Sequence, residues 1–186
     1  MREEMARQVA AAYAAKLRED EIRASYAAFV PLAARTITAA QGGAQTLTRA
    51  YIRGAGGYDP APVPSLAGTS KAGTITEALG AMMPFILIAI SKGSTPPEAL
   101  KIGAGHVDQM ADNELTRVVD AEIDRQVTGR RAIGWTGIVN APCSACAGNA
   151  GDHTFDEEIF RHPNCQCDRG LIFEDFAYTV PVLAPA

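Results

Sequence analysis

Four cysteines and one histidine are the side chains in this sequence whose spacing best fits a defined chemistry. Pro142-Cys143-Ser144-Ala145-Cys146 is followed by Arg161-His162-Pro163-Asn164-Cys165-Gln166-Cys167, and these segments hold every cysteine of the chain. A Cys-x-x-Cys knuckle turns both sulfurs to one side, and two donors from a later segment complete a tetrahedron. Thiolate and imidazole donors suit zinc, which adds no redox chemistry of its own. Five donors compete for four places: Cys143, Cys146, His162, Cys165 and Cys167. Cys165 and Cys167 share a face in extended chain, while His162 and Cys165 form an equally good i, i+3 pair. The spacing leaves both sets open. The four cysteines are preferred, with His162 either replacing Cys167 or supporting the ligands from behind. The rival is a pair of disulfides or buried thiols. Tight clustering argues against it, because a disulfide framework is normally spread over the fold it staples. His106, in a helix, and His153, in a polar loop and expected to be exposed, lack ligand spacing.

Helices must carry this cluster. Residues 1–53 are rich in alanine, and Ile22, Tyr26, Phe29, Ala33, Ile37 and Ala40 keep a step of three or four, the mark of one buried stripe. A packed helical hairpin is expected there, with charge pairs such as Glu3 with Arg7, a kink at Pro31 and a weak point at Gly42-Gly43. Glycines and prolines from Gly54 to Gly73 predict an irregular loop. A helix should start near Thr74 or Thr76, carry the apolar run to Ile90, and close on Lys92 and Gly93. Thr95, Pro96 and Glu98 then have the order of a capped restart, and that helix should run to about Val127, bent at Gly103 and Gly105 and stopped by Gly129. Beyond it the period changes. Ile133 to Val139 reads as a strand, with Leu171 to Phe173 as its partner. The fold expected is mainly α: a helical body over 1–128 and a small β-containing Cys/His zinc-binding module over 129–178, ending in a loose tail over 179–186.

Composition excludes several classes. Of 186 residues, 47% are hydrophobic and 20% charged, which fits a globular chain better than a disordered one. A net charge of -4 gives no broad basic face for non-specific nucleic-acid binding. The start, Met1-Arg2-Glu3-Glu4, lacks the apolar core of an export signal. The apolar run from Leu79 to Ile90 is shorter than the roughly 20 residues a membrane span needs.

Gly134-Trp135-Thr136-Gly137-Ile138-Val139-Asn140, then Pro142-Cys143-Ser144-Ala145-Cys146, then Phe160-Arg161-His162-Pro163-Asn164-Cys165-Gln166-Cys167 resembles the C-terminal signature of minor head proteins from phages of actinobacteria. These are related in pattern to the Mu F-like head morphogenesis family. The layout of N-terminal helices, a Pro/Gly-rich loop and a proline-capped helix is similar too, so the resemblance extends over most of the chain, with residues 133–167 as its specific part. Two departures stand out: the insert Ala147 to His153 is more polar than usual, and the chain continues through Phe173, Phe176 and Tyr178. The resemblance implies a structural, non-enzymatic protein of the virion. It would act near the portal or in the capsid interior after assembly in the host cytoplasm. Portal or major capsid protein would be its partners, packaged DNA a further contact, and no membrane would be involved.

Two other functions compete. Pro142-Cys-x-x-Cys146 is half of the zinc deaminase signature, whose His-x-Glu half would have to be His106-Val107-Asp108. That reading leaves His162, Cys165 and Cys167 without a role. A zinc-stabilised nucleic-acid-binding module would use Arg125, Arg130, Arg131, Arg161 and Arg169. The acidic run of Asp152, Asp156, Glu157, Glu158 and Asp168 argues instead for a solvated surface.

Overall fold

The apolar stripe of the N-terminal residues organises the first part of the fold in a computed structural model, which describes residues 1–57, 59–127, 132–139, 144–157 and 167–173. Helix α1 (Arg2–Lys16) buries Met5, Val9 and Tyr13, and helix α2 (Ile22–Gly56) buries Tyr26, Phe29, Ala33 and Ile37. The chain leaves helical geometry at Leu17, so the hairpin turns there. Arg7 pairs with Glu4 at 2.6 Å rather than with Glu3. The α2 helix continues through Pro31 and through Gly42-Gly43, where a kink and a weak point were expected. Pro31 and Ala27, one turn before it, are both exposed. The Ala27 carbonyl that loses its helical donor is therefore on a solvent-facing turn. A Cβ at Gly42 would meet Ala67 at 3.8 Å, an ordinary contact, and one at Gly43 would come within 3.1 Å of the end of the Met1 side chain.

The apolar run after the loop divides into two helices. Thr74 accepts a hydrogen bond from Glu77 N and Glu77 reaches back to the Thr74 N–H, a complete capping box that starts α3 (Ile75–Gly80). Helix α4 (Met83–Ser91) follows with Pro84 in its first turn, the position where a proline costs no hydrogen bond. Gly93, at φ 95°, turns the chain out of α4, and Glu98 accepts from the Thr95 N–H and hydroxyl as α5 (Pro96–Val127) begins. The expected irregular loop is shorter than its glycines suggest: α2 extends to Gly56, and β1 (Thr69–Ser70) pairs antiparallel with β2 (Gly73–Thr74). No helix among the described residues is long and apolar enough to cross a membrane.

Two compact units result. The first contains Met1–Gly43 and Leu66–Thr116. Its core joins the rings of Tyr13 and Tyr26, which meet Phe29 edge-on and tilted, to Leu79, Ile86 and Val107. The two phenols are buried but satisfied: Tyr13 donates to the Leu100 carbonyl and Tyr26 to that of Leu79, each at 2.8 Å. Burial pushes the Tyr13 phenol up to about 12. Gly103 allows α5 to approach Ile86 and the Tyr13 hydroxyl, since any Cβ there would collide with both.

The second unit contains Ala44–Ser65 and Arg117–Ala186. Its sheet has the order β4-β3-β5, all antiparallel, built from β3 (Ala132–Ile138), β4 (Gly151–His153) and β5 (Asp168–Phe173). The expected pairing of the 133–139 strand with residues 171–173 is present and extends to Asp168. The chain is mainly helical, as expected, with this sheet at its C-terminal end. Gly129, the expected stop of α5, and the tail over 179–186 lie outside the described residues.

Candidate metal centre

Two glycines explain how the cysteine segments are laid onto β3. A Cβ at Gly137 would fall on the carbonyl oxygen of Asn149, and one at Gly134 on that of His153. The chain after the first knuckle therefore crosses directly over the strand, which only glycine permits. Asn149 closes a short 3-10 helix (Ser144–Asn149) that carries Cys146. Cys167 immediately precedes β5, whose first residue, Asp168, pairs with Ile138 at the far end of β3. Cys146 and Cys167 are both buried and form one cluster with Val139 packed against it. One thiol from each sequence segment thus reaches the same place.

Cys143, His162 and Cys165, the other three candidate ligands, lie outside the described residues. Among the described residues no three His, Cys, Asp or Glu side chains group as a metal site. The fit to zinc therefore rests on the donors present: two buried sulfurs brought together from the two segments, the donor type that zinc prefers.

His153 departs from expectation. It stacks on Trp135 with ring centroids 4.1 Å apart, and its side chain is only 14% exposed. The sequence suggested an exposed position because of the polar neighbours. The strand pairing places His153 opposite Trp135 instead. Its Nδ1 is 3.0 Å from Glu157 Oε2. Since an ionised carboxylate only accepts, Nδ1 donates. The Thr154 N–H and hydroxyl also donate to Glu157, and the Trp135 indole N–H donates to the Glu157 carbonyl. Trp135 and Val139 are four residues apart in extended chain, about 13 Å. The His153 stack and the thiol pair thus occupy different ends of the strand.

These bonds, led by that from His153, hold the Glu157 carboxyl down to about 2 from its ordinary 4.5. A depressed carboxylate contributes stability above pH 4.5 and loses that contribution as pH falls toward 2. Trp135 fluorescence followed through that window should change in the wild type, and Glu157→Gln should flatten the change. An identical profile in the variant would refute the assignment.

Arg169 also lies over the Trp135 ring. Its guanidinium carbon is 5.8 Å from the ring centroid and its Nη2 is 2.5 Å from Asp124 Oδ1. Arg169 is buried, so it does not belong to a basic surface. Arg125 donates to the Pro64 carbonyl. Arg130, Arg131 and Arg161 lie outside the described residues. His106, the residue a deaminase would need as ligand, stacks on Phe85 at 4.0 Å.

Sequence reading missed a buried polar network in the same unit. Glu122 on α5 is fully buried and accepts from Arg49 Nε at 2.6 Å, Gln45 at 2.8 Å and Gln126 at 2.9 Å. Gln126 also holds Ala61 through its N–H and carbonyl, and Ser65 donates to Gln45. Burial pushes the Glu122 carboxyl up, yet the Arg49, Gln126 and Gln45 hydrogen bonds outweigh it and leave the group below its ordinary value. The signal was two polar pairs at helical spacing, Gln45 with Arg49 and Glu122 with Gln126. Through Ala61, Val63 and Ser65 the network fixes the 59–65 segment. Glu122→Ala should cost about 2–3 kcal/mol by leaving Arg49 and two amides without their acceptor. Chemical denaturation checks this; a change under about 0.5 kcal/mol would contradict the network's role.

No family model, curated protein or solved structure matches this chain.

Proposed function

We propose that this chain is a minor head protein of a tailed phage, whose C-terminal module is closed by one structural zinc ion. The observation that carries the reading is the shared buried cluster of Cys146 and Cys167, which come from the two segments that carry the family resemblance. Spacing in the sequence adds to it. Cys165 is two residues from Cys167 in sequence and Cys143 three from Cys146. Four thiols so spaced suit a closed tetrahedral site, with His162 as the alternative fourth donor. A closed site has no open coordination position, so the ion would tie chain segments together and activate no water.

The absence of enzymatic turnover is part of the proposal. Glu122 is engaged on all described sides, and His153 is held by Trp135 and Glu157. The docking surface for portal or capsid protein would be the exposed alanine-rich face of residues 1–53, represented by Ala10, Ala11, Ala14 and Ala15 of α1 and Ala24, Ala27 and Ala28 of α2. All of these are exposed.

The reading is tested in particles. Cys143→Ser with Cys146→Ser should lower soluble yield and incorporation into heads together, whereas His106→Ala should change neither. Normal incorporation of the cysteine variant together with a defect from His106→Ala would overturn the structural reading and favour a deaminase-like one.

A further inference from the structure

We draw no further inference here: the strongest candidate, the apolar patch that Pro84, Phe85 and Ile88 expose on α4 of the first unit, carries no proposal, because nothing in the structure shows what covers it.

Discussion

A chain carrying Gly137→Ala is expected to lose its C-terminal sheet while keeping its helices. The new methyl group would occupy the position of the Asn149 carbonyl oxygen, which is backbone and has no rotamer by which to withdraw. Overpacking in a tight core costs about 1–3 kcal/mol even where side chains can adjust. Here relief requires β3 to separate from the segment that carries Cys146. The expected loss is more than about 4 kcal/mol, at the extreme of single substitutions. In practice the second unit should become protease-sensitive while helical circular dichroism is largely retained. Gly148→Ala, where nothing lies within 4 Å, is the control and should be nearly silent. Equal behaviour of the two variants would refute the crossing.

The second large effect concerns the thiol cluster. Among the described residues of the sheet region, Trp135, Leu171 and Phe173 are the large buried apolar side chains, and a small core supports little stability. If a metal joins the two cysteine segments, its binding free energy is folding free energy. Cys146→Ser with Cys167→Ser should then lower the unfolding midpoint of the second unit by more than loss of two buried apolar groups would, about 2–3 kcal/mol together. Chelation of the wild type should reproduce the larger effect and open residues 144–173 to protease. A double variant no less stable than the packing term allows, with chelation silent, would show that the thiols only pack.

Much of the helical architecture was legible in the residues. Tyr26, Phe29, Ala33 and Ile37 are buried as their spacing required, and the Thr95–Glu98 restart of α5 is in place. Local breakers misled. Pro31 predicts a kink, yet α2 continues through it, because the effect of the missing donor depends on whether its partner carbonyl faces solvent. Gly42-Gly43 predicts a weak point, yet α2 runs through it, and the residues that face the pair, Ala67 and Met1, are distant in sequence. The same limit applies in the second unit. The motif Gly134-Trp135-Thr136-Gly137 was readable as a strand, but the role of its glycines depends on carbonyls at positions 153 and 149. His153 looked exposed from its polar neighbours and becomes a stacked, carboxylate-held ring through its pairing with Trp135. Cys146 and Cys167 share one buried cluster, while Cys143, His162 and Cys165, the other candidate ligands, lie outside the described residues.

The most direct test of the account is the metal content of the purified chain, measured by elemental analysis beside a thiol titration. The result expected is one zinc ion per chain, four thiols that react only after chelation, and loss of the metal in Cys143→Ser with Cys146→Ser. A metal-free chain whose second unit stays folded and protease-resistant would contradict the zinc-closed module on which the proposed function depends.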